Sequence, residues 1–120
     1  MNTPVSFELA KLLKEKEFEQ KTKSYNEDGK LVTVSLTIRR FNPEKIYYPA
    51  PTIAEAVMWL YEKHEIWIGV ICDVGNDLLF TFKIYSTKIG EERCIVNGNM
   101  YESPTEAHEA AIKYTLNNLI

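Results

Sequence analysis

Glycine, cysteine and histidine are scarce in this chain: its 120 residues contain 5 glycines, 2 cysteines and 2 histidines. The glycines never gather into a phosphate-cradling loop, and neither G-x-S-x-G nor H-E-x-x-H occurs. Cys72 and Cys94 lie in strand-like runs without C-x-x-C spacing, which predicts reduced thiols in a cytoplasmic protein. The spacing His64, Cys72, Cys94, His108 lacks the short paired intervals of zinc modules, so no metal is expected, nor any other cofactor. A Cys-His nucleophile is disfavoured because neither cysteine has activating neighbours in sequence. Long apolar runs are missing as well. No stretch approaches the roughly 20 residues of a membrane span, and residues 1–21 carry charges where a secretion signal needs an apolar centre. Basic charge is in deficit, with 14 Lys and Arg against 17 Asp and Glu and a net charge of -3. That balance provides no bulk attraction to nucleic acid or an anionic membrane. Together these absences incline the reading away from an enzyme.

What is present is ordinary material for one domain over residues 1–120: 45% hydrophobic and 26% charged residues. Three helix starts are written in the sequence. Thr3 or Ser6 can cap a helix running to about Lys16, with a narrow stripe of Val5, Leu9, Leu12 and Leu13. Thr52 with Glu55, and Ser103 with Glu106 behind Pro104, form two capping-box patterns. Between them the hydrophobic period falls to two. In LVTVSLTIRRF, Val32, Val34, Leu36 and Ile38 alternate with polar residues, and Asp28-Gly29 predicts a hairpin to a strand within Thr22–Glu27. IWIGVICDV and LLFTFKIYST flank Gly75-Asn76-Asp77 as a second hairpin, and Asn97-Gly98 suggests a short third. NPEKIYYPAP, residues 42–51, holds three of the five prolines and reads as an ordered crossing loop. The expected architecture is α+β: an antiparallel sheet of about four to six strands, with two or three helices mainly on one face. The expected order is α-ββ-α-ββ-(ββ)-α.

The aromatic residues raise the functional question. On a helix over 52–65, Ile53, Val57, Leu60 and Tyr61 share one face with His64, whereas Trp59 projects among Glu55, Glu62 and Lys63. Either the Tyr47-Tyr48 loop folds over Trp59, or Trp59 belongs to a recognition surface. Trp67 lies on the strand face opposite Ile66, Ile68, Val70 and Cys72, which calls for cover by the first helix or by a second subunit. Tyr47, Tyr48, Trp59 and Trp67 are therefore the candidate interaction surface, for an unknown protein partner or for a second copy in a homodimer. The alternative is a pocket between sheet and helices, with His64, His108 and Cys72 as its polar groups. A third reading, nucleic-acid binding, would use Arg39, Arg40, Phe41 and Lys45. It is disfavoured because the RNP signature is absent and Phe80 and Phe82 share a core face with Leu78 and Ile84.

SFELAKLLKEK, Ala50-Pro51-Thr52, Trp59-Leu60, Glu62-Lys63-His64, Ile66, Ile68, Ser103, Glu106-Ala107, Glu109-Ala110 and Leu119-Ile120 together give the chain its pattern. In it the chain resembles a group of short uncharacterised proteins encoded in phages and mobile elements of gut anaerobic bacteria. Glu17 departs from the pattern, standing where glycine is expected after Lys-Glu-Lys. The resemblance implies a cytosolic accessory protein of a mobile element and carries no activity, cofactor or catalytic residue.

Overall fold

A computed structural model describes residues 1–34, 44–74, 78–86, 93–96 and 99–120. The described elements are α1 (Phe7–Glu15), β1 (Lys23–Tyr25), β2 (Leu31–Val32), β3 (Tyr48–Ala50), α2 (Ile53–His64), β4 (Ile66–Val74), β5 (Leu78–Ser86), β6 (Arg93–Val96) and α3 (Pro104–Asn118). The class is α+β, as the patterning predicts.

The described strands do not join in one sheet. They form two antiparallel sheets of three described strands each, in the orders β2-β1-β3 and β4-β5-β6. Proline supplies a local reason for the division. Pro49 lies within β3 opposite Ser24, and a residue without an N–H confines its strand to a sheet edge. The expected crossing loop therefore contains a strand, and that strand ends the first sheet. The β1–β2 hairpin forms as predicted, with a longer loop than Asp28-Gly29 alone implies: the Asn26 N–H donates to the Lys30 carbonyl at 2.9 Å. Gly29 takes φ 81°, and a Cβ there would sit 3.1 Å from the Phe7 ring, so both backbone and space require glycine.

In the second sheet β4 and β5 pair from Ile66↔Ser86 to Val74↔Leu78, which makes the expected hairpin; its turn residues 75–77 lie outside the described residues. The Asn97-Gly98 turn lies outside them too, but its flanks do not form a hairpin with each other. Arg93–Val96 pairs with Lys83–Ser86, and Tyr101 bridges Phe80 with reciprocal bonds of 2.8 and 2.7 Å. Both flanks thus lie along one edge of β5, where its backbone groups remain to be paired. The alternating strand beyond Val34, with the Arg39-Arg40-Phe41 run, falls outside the described residues.

Helix starts follow the sequence closely. Ser6 caps α1, and Thr52 and Glu55 close a reciprocal capping box on α2. At α3 the box is half made: Ser103 Oγ accepts from the Glu106 N–H, while the Glu106 carboxylate takes the N–H of Glu102 instead of Ser103. Helix ends hold the surprise. Lys16 is the C-cap of α1, Glu17 takes φ 64°, its N–H donates to Lys14 O, and the Phe18 N–H reaches back to Leu13 O. These two bonds define a Schellman motif, whose left-handed position is ordinarily glycine. Glu65 ends α2 in the left-handed region as well, with φ 57°, its N–H donating to Tyr61 O as in the simpler left-handed cap.

The core gathers Val5, Leu9 and Leu13 with Ile53, Leu60, Ile66, Ile68, Phe82, Ile84, Ile112 and Leu116. The helices collect on one side of the second sheet, against the face that carries Ile66, Ile68, Phe82 and Ile84. On α3 Ala107, Ala111, Ile112, Thr115 and Leu116 are buried while Tyr114 is exposed.

Glu17→Gly and Glu65→Gly should each stabilise the fold by roughly 1 kcal/mol, because glycine carries no steric penalty at positive φ. Urea unfolding should show a higher midpoint with an unchanged slope; an unchanged midpoint would count against left-handed strain at these two caps.

Candidate interaction surface

The sequence candidates go to separate places. Trp59 is 4% exposed and belongs to the core. Its cover is Phe18, with ring centroids 5.1 Å apart, and not the Tyr47-Tyr48 loop; the His64 ring meets its other side at 4.9 Å. Trp59 therefore leaves the candidate surface. The Schellman turn at Glu17 directs Phe18 back over α2, and a wheel projection of α2 alone cannot show that. Tyr48 is half-buried in β3, packed edge-on against Phe7 at 5.4 Å, with the Lys14 ammonium over its ring at 5.2 Å. Tyr47 offers its carbonyl to Lys14 Nζ at 2.8 Å.

Trp67 remains on the surface. It stands on the face of β4 that turns away from the helices, opposite Tyr85 on β5. Tyr61, projected onto the apolar side of α2, instead lies outside and meets Trp67 edge-on at 5.7 Å. Ile71 follows two rungs along the same face, opposite Thr81. Exposure of these four side chains runs from 39% for Ile71 to 53% for Tyr61. Gly69 sits between Trp67 and Ile71, and the Tyr85 ring lies 3.9 Å from where its Cβ would be, so the ring shelters the glycine backbone. The first helix does not cover this face, because α1 packs on the other side of the fold against β3 and α3. Sequence reading found Trp67, and alternation along β4 puts Ile71 on its side, but it did not group Tyr61 and Tyr85 with them; the period-two alternation of β5 was the signal for Tyr85.

The alternative pocket is not assembled. His64 packs on Trp59 at the end of α2, His108 lies one turn into α3 with Nδ1 2.9 Å from the Pro104 carbonyl, and Cys72 pairs in register with Phe80. Four clefts lined by described residues, among them one of about 360 Å³ between α1, β1 and β3, include none of the three. Because a carbonyl only accepts, Nδ1 of His108 carries the proton and Nε2 is the site that titrates. Burial holds this histidine below its ordinary value, and the Pro104 hydrogen bond offsets part of that effect. No helix among the described residues is long and apolar enough to cross a membrane.

Comparison with protein-family models, with curated proteins and with solved structures finds no match to this chain.

Two outcomes follow from these placements. Trp59→Ala should cost about 3–5 kcal/mol of stability, as a large buried aromatic, whereas Trp67→Ala should change it by no more than about 0.5 kcal/mol; equal losses in chemical unfolding would mean that Trp67 is structural. His108 contributes stability in full above its unfolded value near 6.5, and that contribution falls as pH drops through it, because the unfolded chain takes up the proton first. Unfolding midpoints measured from about pH 8 to about pH 5 should therefore decline less steeply in His108→Gln than in the parent chain.

Proposed function

We propose that the chain is a non-enzymatic interaction module that associates with a second copy of itself through β4. The observation that carries this reading is the character of that strand. β4 ends the sheet order β4-β5-β6, and among the described residues nothing pairs with its outer edge. An edge of nine residues presents a row of unpaired N–H and C=O groups, and only another extended backbone satisfies such a row in series. Monomeric proteins blunt these edges with lysine, proline or a bulge. Residues 66–72, Ile-Trp-Ile-Gly-Val-Ile-Cys, contain no charge and no proline.

The strand also reads nearly the same in both directions about Gly69. Antiparallel pairing of two copies centred there sets Ile68 against Val70, Trp67 against Ile71 and Ile66 against Cys72. Apolar residues meet apolar residues on both faces, and Gly69 lies on the two-fold axis, where backbones approach closely. The exposed aromatic face then continues across the junction, and each Trp67 gains an aliphatic cross-strand neighbour, a pairing that stabilises sheets by a few tenths to about 1 kcal/mol. Such contacts are modest in area, so the association is reversible rather than obligate. A self-pairing module of this kind suits the accessory role in a mobile element that the resemblance implies. None of the four described clefts brings together the His64, His108 and Cys72 of the rival pocket.

Sedimentation equilibrium over a wide concentration range should show a monomer–dimer equilibrium, and Ile71→Lys with Trp67→Lys should displace it to monomer without loss of fold, since both side chains are already exposed. A chain that stays monomeric at the highest concentration, or a dimer that survives the double substitution, refutes the proposal.

A further inference from the structure

A second feature, a cleft, lies away from β4. Its walls come from the end of α1, the segment that follows it, and the face of β1 and β3 turned away from Phe7. At about 360 Å³ it is within the range of small-ligand sites, roughly 300–1,000 Å³. At its wall is Ser24, on the middle strand of the first sheet and paired on both sides, to Val32 and Pro49. Ser24 is 6% exposed, yet among the described residues its hydroxyl has no hydrogen-bond partner. That hydroxyl is not among the buried atoms left without a partner, so it is open to the cleft, where it can both donate to and accept from a ligand.

The cleft also holds cations. The Lys14 ammonium is fixed by the Tyr47 carbonyl at 2.8 Å and by the Tyr48 ring at 5.2 Å, with further N–H groups left to donate. Lys21 and Thr22 line the same cleft, and so do the aromatic residues Phe18 and Tyr47. Glu19 is the carboxylate among the lining residues, against two lysines, so the local balance is positive in a chain whose net charge is -3. From the unpartnered Ser24 hydroxyl and the held Lys14 ammonium, we infer that this cleft binds a small organic anion. The ligand has a flat apolar body against Phe18 and Tyr47 and a carboxylate or phosphate group that accepts from Ser24, Lys14 and Lys21.

Amide-detected NMR titration of the intact chain with benzoate, phenyl phosphate and neutral benzyl alcohol tests this. Saturable shifts are expected at Lys21, Thr22, Ser24 and Tyr47 with at least one anion and not with the alcohol, and the tighter anion identifies the acceptor group. Ser24→Ala and Lys21→Met should each weaken binding roughly tenfold, the loss of one hydrogen bond to a charged group. The inference fails if neither anion saturates at millimolar concentration, if benzyl alcohol binds equally well, if the shifts fall on Trp67 and Tyr85, or if the Ser24→Ala, Lys21→Met double variant binds as the parent does.

Discussion

The carboxylate of Glu109 accepts from the N–H of Ser6 at 2.9 Å and from its hydroxyl at 3.0 Å, and this bond pair fastens the first helix to the last across 103 residues of chain. Ser6 Oγ in turn accepts from the Leu9 N–H, so one side chain caps its own helix while it grips a neighbour. The preceding residues are held just as firmly. The Val5 N–H donates to Pro51 O, the Ile53 N–H to Thr3 O, and the Tyr25 hydroxyl to Val5 O at 2.5 Å. Burial, and then the negative charge of Glu109, raise the Tyr25 phenol above its usual range, which keeps it a donor. The Glu8–Lys113 pair at 2.8 Å repeats the α1–α3 link at the surface, where solvent leaves it little weight.

From that joint the rest of the arrangement follows. With α1 held against α3 and against β3, Leu9 and Leu13 reach the core that α2, α3 and the inner face of the second sheet enclose. The Schellman turn then returns Phe18 over Trp59, closing the core from the side that α2 leaves open. Since α1 is committed there, nothing among the described elements covers the outer face of β4 and β5. The first sheet is divided in the same manner: Tyr25 and Tyr48 meet Phe7 on one face, and Ser24 and Pro49 face the cleft on the other.

Legibility in the sequence tracked the range of the interaction. Caps are local, so Ser6, Thr52 and Ser103 could be read directly; the partner of the Glu106 carboxylate shifted by one residue because the approach of Glu102 is set by the Tyr101–Phe80 bridge. Alternation is local too, and it placed Trp67 outside. Trp59 was misplaced because its cover comes from another element, through a left-handed turn occupied by glutamate where no glycine announces it. Division into two sheets depends on which strand finds which partner, and only Pro49 hinted at an edge. The cleft at Ser24 was invisible, since its walls are drawn from residues 14–24, Val34, Tyr47 and Pro49.

The outer face is therefore best understood by what the fold does not require of it. Ile66, Ile68, Phe82 and Ile84 already supply the apolar contacts that anchor the sheet to the helices. A tryptophan and a tyrosine opposite each other on the other face add a cross-strand contact that threonine or lysine would largely replace, with less apolar surface left in water. Gly69, between Trp67 and Ile71, weakens the strand in isolation, and the Tyr85 ring only partly compensates by lying over it. A strand that is uncharged over residues 66–72, lacks proline there, and carries aromatics outward is poorly suited to staying alone. Among the described residues no strand lies along its outer edge, and in the proposed self-pairing each of these liabilities becomes a contact.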